Sequence, residues 1–98
     1  MDYGVAWLER SLSDLEAIYD YIAVDNLTAA AKLIRGVRAQ AELLRGVPRM
    51  GPRYRCRLTG DIRQTVFGNY RIFYQVFEAE LRVEIMSVWH GARQEPEL

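Results

Sequence analysis

The sequence predicts one α+β domain, in which two helices pack on a small, mainly antiparallel sheet in the order β-α-α-β-β-β. Two observations support this fold class. Residues 8–45 place their apolar side chains at helical spacing, whereas residues 62–89 alternate apolar and polar side chains as strands do. Half of the 98 residues are apolar and 11% are aromatic, which is enough for one core without metal or disulfide support. We therefore predict a single domain over residues 1–98.

The first 25 residues predict a short strand followed by a helix. Residues 3–8 alternate, with three apolar side chains on one face of the strand. Two overlapping capping boxes, which begin at Ser11 and Ser13, indicate that the first helix starts within a few residues of them. The apolar face predicted for this helix steps by three and four and comprises Leu8, Leu12, Leu15, Ile18, Tyr19 and Ile22.

The second helix is predicted from about residue 27 to residue 45. Asn26 is expected to cap its start, and Gly46 and Pro48 to end it. Gly36 costs roughly 1 kcal/mol in a helix interior, so we expect a neighbouring element to approach the helix closely there. The stripe predicted to face the core consists of Leu27, Ala30, Ile34, Val37, Ala41 and Leu44.

Residues 63–76 predict the centre of the sheet, a β-hairpin with a tight turn at Gly68 and Asn69. The second arm is apolar on both faces, which is typical of a central strand. Arg71 interrupts one of those faces, and two interpretations stay open: an arginine with its head in water, or a functional cation on a rigid strand. Residues 81–89 alternate as well and predict a last strand antiparallel to the second arm.

A basic connector, residues 49–60, joins the second helix to the hairpin. Arg53, Arg55 and Arg57 alternate there with apolar residues, and flanking Gly and Pro residues place the segment at a sheet edge or in a loop. Cys56 is interpreted as a small packing residue, because no sequence partner marks it as a nucleophile.

Composition excludes several function classes. A single cysteine and a single histidine exclude a disulfide framework and a Cys/His zinc site, so no metal and no cofactor are expected. The chain has no apolar run of 18 residues and no basic leader ahead of an apolar segment. A soluble cytoplasmic protein without a membrane partner is therefore the expectation.

The formal net charge is zero, but the charges are separated along the chain. Residues 1–25 hold six acids and one base, whereas residues 32–71 hold ten bases and two acids. Such a basic segment indicates an anionic partner, either a nucleic acid or an acidic protein segment. All but one of the ten bases are arginines, which favour bidentate contacts to carboxylate or phosphate.

Short motifs lie along nearly the whole chain: Asp14-Leu15-x-x-Ile18-x-x-Tyr21-Ile22, Asp25-Asn26 before an Ala-rich helix, Pro48-x-x-Gly51, Arg63, Tyr70-Arg71-Ile72-x-Tyr74, and Val88-x-His90-Gly91-x-Arg93. In this order and spacing the chain resembles the ParE-like branch of the RelE/ParE superfamily of bacterial toxins. The resemblance implies the growth-inhibiting toxin half of a two-gene toxin–antitoxin module. ParE-like toxins act on DNA gyrase and block replication, whereas RelE-like relatives on the same fold cut messenger RNA in the ribosome.

The C-terminal tail helps to choose between these two activities. Metal-free RNA cleavage requires a base, an acid and cations on the phosphate, for which the resemblance offers Arg57, Arg71, His90 and Arg93. The tail after Arg93 departs from the RelE-like pattern, because it has no tyrosine and carries two carboxylates. We therefore predict a non-catalytic toxin that inhibits gyrase by binding it, with a metal-independent, ribosome-dependent endoribonuclease as the alternative.

Two binding surfaces follow from the resemblance and the charge pattern. The cognate antitoxin is expected to lay an amphipathic helix and an acidic segment over the sheet and the second helix. Direct binding of nucleic acid is expected only in the nuclease alternative. The predicted antitoxin contacts are Arg35, Arg38, Arg53 and Arg55, and the predicted target contacts are Arg63, Arg71, His90 and Arg93.

Overall fold

The computed structural model describes residues 2–91, over which two α-helices pack on one four-stranded sheet. This architecture confirms the predicted α+β class and element order. A single 3₁₀ turn, Leu43–Arg45, follows the second helix within the described residues. The elements are β1 (Gly4–Trp7), α1 (Glu9–Ala23), α2 (Leu27–Glu42), β2 (Asp61–Phe67), β3 (Tyr70–Phe77) and β4 (Arg82–His90).

The sheet has the strand order β1-β4-β3-β2. Strand β3 pairs antiparallel with β2 on one side and with β4 on the other, and β1 pairs with β4 in the parallel direction. As predicted, β3 is central and buried on both faces. Ile72 and Tyr74 pack toward the helices, while Phe73 on the outer face lies under Tyr54 of the connector, with ring centroids 4.8 Å apart. The connector therefore covers the face of β3 that the helices do not reach.

The first helix begins earlier than the capping boxes predicted. It starts at Glu9, and the side chain of its N-cap residue, Leu8, makes no capping hydrogen bond. The backbone N–H of Leu8 still donates to the carbonyl of Ile85 at 3.0 Å, so the chain passes from sheet pairing directly into the helix. Ser11 lies in the first turn and is buried, and its Oγ donates to the carbonyl of Leu8 at 2.6 Å.

The predicted apolar face of α1 is also partly wrong. Leu15 reaches the core, but Leu12 is 52% exposed and Ser11 is buried in its place. The hydrogen bond within the first turn satisfies the Ser11 hydroxyl, which removes the usual cost of burying a polar group. The helix can therefore present its serine rather than its leucine to the sheet.

The second helix follows the prediction closely. Asn26 caps it by accepting a hydrogen bond from the N–H of Ala29 at 2.9 Å. Of the predicted stripe, Ala30, Val37, Ala41 and Leu44 are fully or almost fully buried, Ile34 packs against the core, and Leu27 is exposed. Leu27 is the first residue of α2, next to the break that separates this helix from α1.

The expected close approach at Gly36 is present, and its partner is a strand. A Cβ atom at Gly36 would lie 2.1 Å from the Cζ of Phe67 in β2. One turn further on, Gln40 Nε2 donates to Thr65 Oγ1 of the same strand at 2.9 Å. Helix α2 therefore lies directly against β2, which is one of the two edge strands.

The hairpin turn and the connector have the predicted positions. Phe67 pairs with Tyr70 across the turn, and Gly68 has a φ of +57°, a value that glycine adopts without strain. The connector runs along the open edge of β2, where Tyr54 N donates to the carbonyl of Ile62 at 2.8 Å. No helix within residues 2–91 has the length and apolar character needed to cross a membrane.

Candidate functional site

A shallow groove lies where the hairpin turn meets the end of β4, and we call it the turn groove. It has a volume of about 330 Å³. Strand pairing places Arg71 opposite Trp89 and Tyr70 opposite His90. The N–H of Gly91 donates to the carbonyl of Asn69 at 2.6 Å, which holds the end of β4 against the turn. The groove is lined by Val66, Gly68, Asn69, Arg71, His90 and Gly91.

The side chain of Arg71 is fixed on the outer face of the sheet. Its Nε donates to Gln64 Oε1 of the neighbouring strand at 2.9 Å. Its guanidinium carbon lies 5.1 Å from the ring centroid of Phe73 and 5.9 Å from that of Tyr54, within the range of cation–π attraction. Of the two interpretations left open for Arg71, this geometry favours the cation held on a rigid strand over the arginine extended into water.

His90 stands at the junction of two grooves. Its imidazole meets the ring of Tyr70 edge-on, with centroids 5.1 Å apart and an interplanar angle of 85°. It lines the turn groove and also a second groove of about 510 Å³ between α1 and the end of the sheet. We call this second space the α1 groove; Asp14, Ile18, Tyr21, Tyr70 and Trp89 are among the other residues that line it.

The structure separates Arg63 from the turn groove. Arg63 pairs with Tyr74, so it lies on the helix side of the sheet, whereas Arg71 lies on the outer side. Its side chain is only 15% exposed: Nε donates to Asp61 Oδ1 at 2.8 Å, and an Nη donates to the carbonyl of Gly51 at 2.9 Å. Arg63 therefore anchors the connector. Of the four predicted target contacts, Arg71 and His90 come together, and Arg93 lies outside the described residues.

The predicted antitoxin contacts are exposed on two segments that flank β2. Arg35 and Arg38 lie on the outer surface of α2, and Arg53 and Arg55 lie on the connector. Arg53 is also near acceptors of its own segment, since its Nη2 is 3.4 Å from the carbonyl of Gly60. Arg57, which is a candidate only for the nuclease alternative, is exposed in the connector and does not line the turn groove.

Sequence reasoning missed the role of Asp14. Its Oδ2 accepts hydrogen bonds from Ser87 Oγ at 2.8 Å and from the N–H of Val88 at 3.0 Å. This carboxylate therefore joins α1 to β4 and forms one wall of the α1 groove. A signal was present in the sequence, because Asp14 lies four residues before Ile18, which belongs to the predicted apolar face, and residues four apart are neighbours on a helix surface.

A second missed contact joins the connector to the core. The hydroxyl of Tyr74 accepts a hydrogen bond from the N–H of Gly51 at 3.0 Å. Burial raises the pKa of the Tyr74 phenol, and this bond to the Gly51 backbone opposes the rise. A Cβ at Gly51 would lie 2.0 Å from the carbonyl oxygen of Gln64, so only glycine fits between the connector and β2.

The acidic, histidine and cysteine side chains of the described residues are dispersed. Within residues 2–91, no three His, Cys, Asp or Glu side chains lie close enough together to hold a metal ion.

The positive charge of the connector is carried by its arginines, and Arg49 is the first of them. A hydrogen bond with Tyr3 raises the pKa of Arg49, and Glu78 and Asp61 add to that rise.

Comparison with known proteins identifies relatives over almost the full length. A family model described as the ParE toxin of the type II toxin–antitoxin system, parDE, matches residues 5–95. A structure of the chromosomal ParDE system from P. aeruginosa has a TM-score of 0.74 at 20% identity, covering 90% of this chain and 95% of that chain. The RelBE2 toxin–antitoxin complex from Mycobacterium tuberculosis also has a TM-score of 0.74, at 23% identity, with 95% of each chain covered.

A third structural relative, the isolated E. coli RelE toxin, has a TM-score of 0.60 at 23% identity, covering 95% of this chain and 88% of that chain. At these identities, the three structures show a common fold. No curated protein matches the chain.

Proposed function

The chain belongs to the ParE toxin family of type II toxin–antitoxin systems, and from this premise we propose that it inhibits DNA gyrase by binding it and is neutralised by a cognate antitoxin. The observation that carries the proposal is the family match over residues 5–95. Gyrase is the target class that resemblance to ParE-like toxins implies. Binding it would block replication and so stop growth.

The geometry of the turn groove supports a binding role. Gln64 and two aromatic rings hold the guanidinium of Arg71 in place, so little side-chain entropy is lost when a partner contacts it. A fixed guanidinium fork suits carboxylates on an acidic protein surface. We therefore assign Arg71 and His90 to the target-binding surface.

The same groove fits a metal-independent nuclease poorly. Such an enzyme needs an acid and a base on opposite sides of the scissile phosphate. Among the described residues that line the turn groove, His90 is the one imidazole, and it packs edge-on against Tyr70. The RelE structures share the fold at 18–23% identity, so they bear on architecture and not on chemistry.

The antitoxin, in this proposal, binds along the β2 side of the molecule. Helix α2 and the connector both lie against β2 and carry exposed arginines on either side of it. An acidic segment crossing that edge would meet both sets. Two of the structural relatives are toxin–antitoxin complexes, which supports a partner of this kind. The proposed contacts are Arg35, Arg38, Arg53 and Arg55.

The test of gyrase inhibition uses the toxin purified from its antitoxin complex in a DNA supercoiling assay. Arg71→Ala should raise the inhibitory concentration roughly 5- to 150-fold, equivalent to about 1–3 kcal/mol for a charge pair buried in the complex. Arg38→Ala removes the same charge from α2 and serves as the matched control. It should leave supercoiling inhibition unchanged and weaken antitoxin binding.

His90→Gln separates the binding toxin from the nuclease. Glutamine keeps hydrogen bonding but cannot act as a general acid or base, so growth inhibition on induction should persist. Cleavage of messenger RNA on purified ribosomes by the wild-type protein, abolished by His90→Gln, would establish the nuclease alternative instead. Wild-type protein without effect on supercoiling would refute the proposed target.

A further inference from the structure

The α1 groove and the turn groove meet at His90, which lines both. One wall comes from α1, with Asp14, Ile18 and Tyr21, and the other comes from the end of the sheet, with Tyr70 and Trp89. Its volume of about 510 Å³ is sufficient for one or two side chains of a partner. The proposed target surface therefore has an unassigned extension on the helix side of the sheet.

Tyr21 is the residue of this groove that the fold explains least. Its side chain is 75% exposed and is not part of the core cluster. Tyrosine offers a large contact area with little loss of conformational entropy, and it is enriched among residues that dominate binding energy at interfaces. An exposed tyrosine beside a groove that contains two further aromatic residues has the composition of a protein-binding site.

Charge distinguishes between the two kinds of partner. Asp14 lines the groove, and both of its hydrogen bonds described above go to Oδ2. Among the described residues that line the groove, Asp14 is the one carboxylate, and none is a lysine or an arginine. An acidic antitoxin segment would be repelled here, whereas it suits the arginines that flank β2. A segment that carries a basic side chain next to an apolar one fits the α1 groove better.

We propose that the α1 groove is the second half of the gyrase-binding surface, with Tyr21 as its specificity-determining residue, an inference that rests on the proposed function. A target segment places an apolar or aromatic side chain against Tyr21 and Tyr70, and a neighbouring lysine or arginine beside Asp14. The same target presents a carboxylate to Arg71 on the other side of His90. Opposite charges at the two ends of the surface would set the direction of the bound segment.

The test compares Tyr21→Ser, Tyr21→Phe and Val24→Ser in the full-length toxin. Val24 is 84% exposed, lies just past the end of the same helix and does not line the groove, so it is the matched control. Affinity for purified gyrase and inhibition of supercoiling are measured together with antitoxin affinity and thermal unfolding. Tyr21→Ser should weaken gyrase binding at least about tenfold, with Tyr21→Phe and Val24→Ser close to wild type.

Each contrary result identifies which proposal fails. If wild type binds gyrase and Tyr21→Ser binds it equally well, the α1 groove is not part of the target surface, although gyrase remains the target. Equal loss of antitoxin and gyrase binding would overturn the inference. Thermal unfolding would then show whether Tyr21 contributes to antitoxin binding or to the stability of the fold. Failure of the wild type to bind gyrase would overturn both proposals.

Discussion

Removing the Asp14 carboxylate should lower the free energy of unfolding substantially, because two donors share this one acceptor. Asp14→Ala takes away the common acceptor of Ser87 Oγ and the Val88 N–H. Ser87 is completely buried and Val88 is 2% exposed, so water cannot readily replace the carboxylate at either donor. The substitution should loosen the contact between α1 and β4.

The size of the effect follows from the two donors left without an acceptor. Each unsatisfied buried group costs about 1–3 kcal/mol, so Asp14→Ala should lower the free energy of unfolding by about 2–6 kcal/mol. That is a large share of the roughly 5–15 kcal/mol expected of a small domain. Asp14→Asn keeps an acceptor oxygen but loses the charge, which roughly halves the strength of such bonds. It should cost about 1–2 kcal/mol.

Urea unfolding followed by tryptophan fluorescence measures these differences, since the chain has two tryptophans and one of them, Trp89, lies next to Val88. Adding Ser87→Ala to Asp14→Ala should recover part of the loss, because one stranded donor is removed. An Asp14→Ala protein within about 0.5 kcal/mol of wild type would refute the reasoning. So would a double variant that is less stable by the full sum of the two single changes.

Two further predictions concern close contacts of the connector and of α2. Gly36→Ala should destabilise the protein despite a gain of about 1 kcal/mol in helix propensity, because its Cβ would meet the Phe67 ring. Adding Phe67→Leu should relieve this clash and recover part of the lost stability, as measured by urea unfolding. A Gly36→Ala protein that is more stable than wild type would refute this. Burial raises the pKa of Tyr74, so the folded state keeps a proton that the unfolded chain loses near pH 10. The free energy of unfolding should therefore be unaffected by this group below about pH 10 and fall as pH rises from there toward the folded pKa. Tyr74→Phe should flatten that fall in a pH series of unfolding curves and cost about 1–3 kcal/mol at neutral pH, because it strands the Gly51 N–H.

Features set by local patterns were predictable. The order of helices and strands, the Asn26 cap and the turn at Gly68 follow from periodicity, capping and backbone freedom, all of which act within a few residues. The close approach at Gly36 was also inferable, since glycine in a helix interior is costly without a packing reason.

The separation of Arg63 from Arg71 was within reach of the sequence as well. A two-residue turn that pairs Phe67 with Tyr70 also pairs Arg63 with Tyr74 and Arg71 with Val66. Because facing residues share a side of the sheet and side chains alternate along a strand, Arg63 lies on the side of Tyr74 and Arg71 on the opposite one. The predicted target surface includes both arginines because they carry the same charge, but the alternation of side chains along the strands separates them.

Sequence alone therefore determined the elements, the central hairpin and the membership of the toxin family. Tertiary structure decided which residues meet across long separations. Asp14 and Ser87 are 73 residues apart, and Gly51 and Tyr74 are 23 apart; no local periodicity records either contact. Tertiary structure also decided that Ser11 is buried while Leu12 is exposed. The physical reason is that the orientation of a helix about its axis depends on packing partners for its apolar side chains and hydrogen-bond partners for its polar ones. Those partners exist only once the sheet has formed.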